Sequence, residues 1–378
     1  MTATQPSVAP SMPGPADQGS VLTNIQVLRG LAALLVVFVH LQDLARLGGA
    51  SQGVFSWGNS GVDVFFVISG LIMVQATTRR PVGPALFMRQ RLARVVPLYW
   101  LVTLGVFGLV WLWPGLFSST DADPIKLAKS LAFIPYERPD GELHPLVFLG
   151  WTLNYEMAFY LLFSVGLLAG RARLVLPLVV LGLAVVVGLI FAPTTPVARF
   201  YTAPVILEFA AGMLLGAGLG RLPQGRRAAL AAAIAGAFAL VLMLIAPALW
   251  PEIDRAVAAG LPALVIVAAA LVLEKSGHVA TWPLARRIGD ASYSIYLTHF
   301  FITAAVTKLA AKLGITGLPA LAGLMLVAFA LVILVGLAVH QWVETPLTRL
   351  FKPGASHWSR LRASSATAKL APTRPLDS

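Results

Sequence analysis

Arg29 and His40 stand eleven residues apart in the stretch RGLAALLVVFVH, with only small or apolar residues between them. A guanidinium and an imidazole in so apolar a run are costly if the run crosses a membrane. For an Arg at the centre of a span the cost is about 2.5–3.5 kcal/mol, so the default meaning of such a residue is function. At about 100° and 1.5 Å per residue, eleven steps return almost to the same azimuth after about three turns and about 16 Å of rise. The pair therefore faces one side of a helix at two depths. An Arg offers a charged fork for phosphate or carboxylate, and an imidazole that titrates near neutrality offers proton transfer. Arg29 by itself also suits an anchor that snorkels to the interface.

Further polar residues interrupt later apolar runs. Asp63 and Ser69 lie in GVDVFFVISGLIM, Asn154 and Glu156 in GWTLNYEMAFYLLF, and Glu208 in LEFAAGMLLG. In GDASYSIYLTHFF, Ser292, Tyr296 and His299 follow the spacing i, i+4, i+7 and so share one helix face, which is expected to line a cavity. Bland roles compete with chemistry here. Glu156 and Glu208 suit interhelical pairs that fix packing, and Ser69 and Tyr296 suit ordinary packing hydrogen bonds.

The elements that must position these residues follow from composition. Of 378 residues, 58% are hydrophobic and only 12% charged, against about 25% charged in soluble domains. The apolar runs are about 17 to 25 residues long, enough for helices to cross about 30 Å of hydrocarbon, and they lack the alternation of a β-barrel. The expected fold is all-α, a polytopic membrane bundle of about ten transmembrane helices. The spans are placed at about 26–45, 60–77, 95–113, 147–169, 174–191, 201–219, 228–249, 257–274, 289–311 and 320–342. A membrane domain over 23–346 is expected between a disordered N-terminal tail, 1–22, and a disordered basic C-terminal tail, 353–378. A short interfacial helix is expected near KLAKSLAFIPY in the long loop of about 114–146.

Basic clusters at Arg79 and Arg80, at Arg89, Arg91 and Arg94, at Arg226 and Arg227, and at Arg286 and Arg287 fall on one side of such a bundle, with the basic C-terminal tail. The positive-inside rule makes that side, and both termini, cytoplasmic. This bias accounts for most of the net charge of +12 and leaves nucleic acid without support as a partner. There is no Cys, so disulfides and thiolate chemistry are excluded. No phosphate loop and no HExxH spacing is present, and no metal is expected.

Together these segments resemble the integral-membrane acyltransferase 3 family, over almost the whole chain. Arg29 and His40 resemble its Arg-x10-His pair, and FFVISGL, residues 65–71, resembles its Phe-Phe-x-x-Ser-Gly-Phe signature, with Leu71 replacing the last Phe. RQRLARVVPLYW, residues 89–100, resembles the Arg-rich entry to the third helix. SYSIYLTH, residues 292–299, resembles the late Ser-Tyr-x-Ile-Tyr-Leu-x-His motif, and VETP, residues 343–346, the closing Glu-x-Pro. GWTLNYEMAFY, residues 150–160, looks most like the exopolysaccharide-acetylating branch.

The resemblance implies an enzyme of the cell inner membrane that carries an acyl group, acetyl by analogy, from cytoplasmic acyl-CoA to a hydroxyl of an exopolysaccharide, lipid-linked repeat unit or O-antigen. Other polysaccharide assembly proteins would be its partners. Arg29, Arg89, Arg91 and Arg94 are placed to hold CoA phosphates, and the 16 Å rise is about the reach of a pantetheine arm. His40 is the expected general base and Glu156 its expected orienting group. Ser69 or Tyr296 would donate to the oxyanion, with His299 as a second proton-transfer or thioester-holding group. The competing reading is a proton-coupled transporter or flippase, for which the two halves of the chain lack an evident repeat.

Overall fold

A computed structural model describes residues 22–113, 122–139 and 141–351. The two expected tails lie outside the described residues, save Leu22. Among the described residues the architecture is helical, with a single isolated bridge between Glu137 and Leu143 in place of any strand. The helices are α1 Thr23–Arg46, α2 Ser60–Arg79, α3 Pro84–Leu112, α4 Pro124–Leu131, α5 Gly150–Gly166, α6 Val175–Phe191 and α7 Pro196–Tyr201. They continue with α8 Leu207–Gly218, α9 Arg226–Leu249, α10 Leu261–Lys275, α11 Pro283–Asp290, α12 Ser292–Lys312, α13 Leu318–Val339 and α14 Thr345–Phe351. Nine helical segments among the described residues are long and apolar enough to cross a membrane, and α6 is a shorter apolar helix. The all-α polytopic bundle expected from the sequence is the architecture observed.

Local signals set the helix starts. Pro84, Pro124, Pro262, Pro283 and Pro319 each fall in a first turn, where the missing N–H has no partner to lose. Asp123 caps the short α4, accepting from Ile125 N at 2.7 Å. α1 has no local cap. Its first N–H groups, on Thr23 and Asn24, donate instead to the Glu274 carboxylate at 2.8 and 2.9 Å, a negative charge set at the positive end of the helix by the distant end of α10.

α2 is the most buried span and α9 and α13 are among the least. α2 packs on α1, α5, α8 and α10. Its seam with α8 is close because glycines line it. A Cβ at Gly70 would strike the Phe209 carbonyl, and one at Gly212 would strike the Val67 carbonyl. Small residues let membrane helices approach this closely, where dispersion and not water exclusion holds them. Two π-helical turns break the regular spans, Ala256–Gly260 ahead of α10 and His340–Glu344 after α13. Such turns re-aim side chains and recur at functional sites.

Candidate functional site

Two cavities lie along the bundle interior. The first, of about 270 Å³, takes Arg29 from α1, Ser69 from α2, Arg91 and Arg94 from α3, Glu156 and Tyr160 from α5, and Ser292 and Tyr296 from α12. Three guanidinium groups face one carboxylate, so the cavity has the charge and the planar donor forks that suit a phosphorylated ligand. Arg29 is braced, with Nη1 donating to Gln26 at 3.1 Å, while Gln26 donates to Asp290 at 2.6 Å. Arg91 lies over the Phe87 ring at 5.4 Å, and its Nε is buried without a partner. Glu156 accepts from Ser69 Oγ at 3.4 Å and from the Tyr160 hydroxyl. Arg89, expected beside these residues, stands exposed on α3 outside the cavity.

The second cavity, of about 650 Å³, holds His40 and Gln42 from α1, Asn59, His144, Phe148 and Trp151, with Arg199 and Arg255. Val62 and Tyr296 line both cavities and form the partition between them. The Tyr296 hydroxyl is 2.8 Å from Thr152 Oγ1 and donates to the Leu149 carbonyl at 3.2 Å.

The His40 ring lies 5.0 Å from the His299 ring, 5.2 Å from Phe300 and 6.1 Å from Phe148, between centroids. His299 is fully buried, and its Nδ1 is 2.7 Å from the Tyr296 carbonyl. A carbonyl only accepts, so Nδ1 carries the proton. Nε2, buried and without a partner, is then the bare acceptor nitrogen.

The sequence-predicted residues are thus divided. Arg29 and His40 share a side of α1, yet each lines its own cavity, because Val62 from α2 and Tyr296 from α12 fill the space between. Glu156, expected to orient His40, has its hydrogen bonds with Ser69 and Tyr160 in the arginine cavity instead, and His299 is the titratable ring beside His40. Ser292 and Tyr296 line the first cavity as their spacing predicts, while His299 sits behind them.

The partners of the remaining buried carboxylates, Arg255 and His340, carried no sequence signal. Arg255 immediately precedes a π-turn and binds Asp63 through Nε and Nη2, the latter at 2.8 Å. Asp63, in the first turn of α2, is fully buried against its neighbours. Burial disfavours the Arg255 charge, but Asp63 outweighs that and holds the guanidinium pKa above its ordinary value. Glu208 lies beside Asp63 with both carboxylate oxygens buried. Glu344, from the VETP segment, accepts from Ser294 at 2.6 Å and pairs with His340 at 2.9 Å. Tyr160 could have been found by spacing alone, one helical turn after Glu156.

Comparison with known proteins fits this arrangement. The family profile described as Acyltransferase domain matches residues 22–339. The chain is 40% identical over 327 residues to the Exopolysaccharide production protein ExoZ of Rhizobium meliloti (strain 1021), covering 84% of this chain and 95% of that one. It is 32% identical over 187 residues to the Putative membrane-bound transacylase BcsY of Komagataeibacter xylinus, covering 43% and 45%. It is 27% identical over 326 residues to the Peptidoglycan O-acetyltransferase OatA of Listeria monocytogenes, covering 75% and 50%. No solved structure matches the chain. This multi-pass membrane protein, with an apolar helical frame around an arginine cavity and a histidine cavity, belongs to the acyltransferase 3 family of acyltransferases.

Proposed function

We propose that the protein is an acyl-CoA-dependent O-acyltransferase of the cell inner membrane, with both termini cytoplasmic, that moves an acetyl group onto a hydroxyl of an exported or surface carbohydrate such as exopolysaccharide. The observation that carries this reading is the pair of cavities meeting at Val62 and Tyr296, one with three arginines and the other with His40. The likeness to an exopolysaccharide production protein and to a peptidoglycan O-acetyltransferase supports a saccharide acceptor.

In this reading Arg29, Arg91 and Arg94 hold the phosphates of CoA on the cytoplasmic side, and Glu156 keeps the guanidinium forks in order. The pantetheine arm leads the thioester to the partition. The acceptor hydroxyl gives its proton to a ring nitrogen of His40 as its oxygen bonds to the thioester carbonyl carbon. The C–S bond then breaks, and the imidazolium returns the proton to the departing thiolate. General base catalysis of this kind contributes about 10²–10⁴-fold. His299 lies against His40 with a bare Nε2 that accepts the second ring N–H of His40 as the imidazolium forms, and the Tyr296 hydroxyl turns from the Leu149 carbonyl to donate to the developing oxyanion.

Purified protein in nanodiscs with radiolabelled acetyl-CoA and saponified surface polysaccharide tests this directly. His40→Ala is expected to lose transfer while still inserting and folding. Arg29→Lys, which keeps charge without the fork, is expected to raise the KM for acetyl-CoA about tenfold. Full transfer by His40→Ala would refute the assignment of the base, and substrate flux into vesicles without turnover would favour a transporter.

A further inference from the structure

We infer that the histidine cavity is the acceptor site and that it is built for an uncharged pyranosyl unit, seated on Phe148 with its hydroxyls bound by Gln42 and Arg255. The inference rests on acyl transfer as the activity and adds the place and the charge of the acceptor. Phe148 is 38% exposed at the cavity wall and meets His40 edge-on at 6.1 Å and His144 at 4.9 Å. A sugar ring lying on this aromatic face places a ring hydroxyl beside the His40 imidazole. The volume of about 650 Å³ is within the roughly 300–1,000 Å³ of sites that enclose small ligands.

The polar groups at the wall match hydroxyls. Gln42 lines the cavity, and its Oε1, unpartnered and closed off at rest, gains a donor when the amide rotates toward a bound O–H. Arg255 commits Nε to Asp63 and Nη2 to Asp63 and the Asn59 carbonyl, which leaves Nη1 to donate into the cavity. A hydroxyl both donates and accepts, so one pyranose answers both groups.

Charge argues against an acidic sugar. The Arg255 guanidinium is offset by Asp63 at 2.8 Å and that of Arg199 by Glu137 at 3.8 Å. Each guanidinium of this cavity thus has a carboxylate beside it, whereas in the arginine cavity three face one, so an added uronate carboxylate meets less net positive charge here, while a neutral sugar needs only the hydrogen bonds.

The test uses short oligosaccharides from the producing cell's own surface polysaccharide, saponified and divided by anion exchange into neutral and acidic pools. Wild-type protein in nanodiscs with labelled acetyl-CoA is expected to acylate the neutral pool in preference. Gln42→Met and Phe148→Ala should each raise the KM for that pool about tenfold with the KM for acetyl-CoA unchanged, which also reports that the variants are folded. Preference for the acidic pool overturns the inference, as does an unchanged acceptor KM in both Gln42→Met and Phe148→Ala. So does acetyl-CoA turnover that labels neither pool. Failure to consume acetyl-CoA under any condition would instead remove the acyltransferase reading.

Discussion

Tyr296 is the side chain at which the two cavities touch, and its ring and its hydroxyl do different things. The ring, with Val62, closes the space between Arg29 and His40, while the hydroxyl is held by Thr152 and the Leu149 carbonyl. Tyr296→Phe separates the two roles, because the partition stays and the donor goes. If the hydroxyl stabilises an oxyanion, kcat should fall about 100-fold, the size of effect seen when one such donor is lost, with the KM for acetyl-CoA nearly constant. Steady-state kinetics with wild-type rates in Tyr296→Phe would leave only the ring with a role. Helical geometry alone puts Arg29 and His40 on one side of α1 at different depths, and the i, i+4, i+7 spacing puts Ser292, Tyr296 and His299 on one face. What stands between Arg29 and His40 was not legible, since Val62 and Tyr296 come from other helices and nothing local in α1 encodes them. The Asp63–Arg255 pair is hidden for the same reason, its members being 192 positions apart.

At the scale of elements, the seam between α2 and α8 decides where Ser69 and Asp63 stand. Gly212 and Gly216 are four residues apart on α8, the small-xxx-small spacing of close membrane packing, and Gly70 faces them from α2. That spacing is visible in the sequence, but the partner helix is not. Gly212→Leu forces a Cβ and a branched chain against the Val67 carbonyl, two residues from Ser69. The helices must part, at about 1–3 kcal/mol for an overpacked interior position. The expected result is a melting temperature several degrees lower in detergent, with acyl transfer reduced, and a milder version of both for Gly212→Ala. A Gly212→Leu protein that melts with wild type would mean that the seam tolerates separation and does not position Ser69.

At the scale of the whole molecule, the orientation of both cavities depends on whether α6 crosses. With 17 residues it spans about 26 Å at 1.5 Å per residue, slightly less than the roughly 30 Å of hydrocarbon, so length alone leaves the matter open. Contacts between distant segments decide it. Asn24 Nδ2 donates to the His278 carbonyl at 2.8 Å, and Asn24 Oδ1 accepts from Ala280 N at 2.8 Å, so the start of α1 and the loop after α10 share one face. Between them run α1, α2, α3, α5, α8, α9 and α10, an odd number of crossings, and only a crossing by α6 makes the parity even. The absence of Cys from these 378 residues makes this directly measurable. Gln52, in the exposed loop after α1, and His278, exposed after α10, each accept a single cysteine without touching either cavity. With cytoplasmic termini, Gln52→Cys should react with a membrane-impermeant maleimide in intact cells, and His278→Cys only after permeabilisation. The reverse pattern would invert the bundle and place the arginine cavity away from cytoplasmic CoA. Labelling of both from outside would mean that α6 does not cross and that Asn24 does not meet the loop after α10.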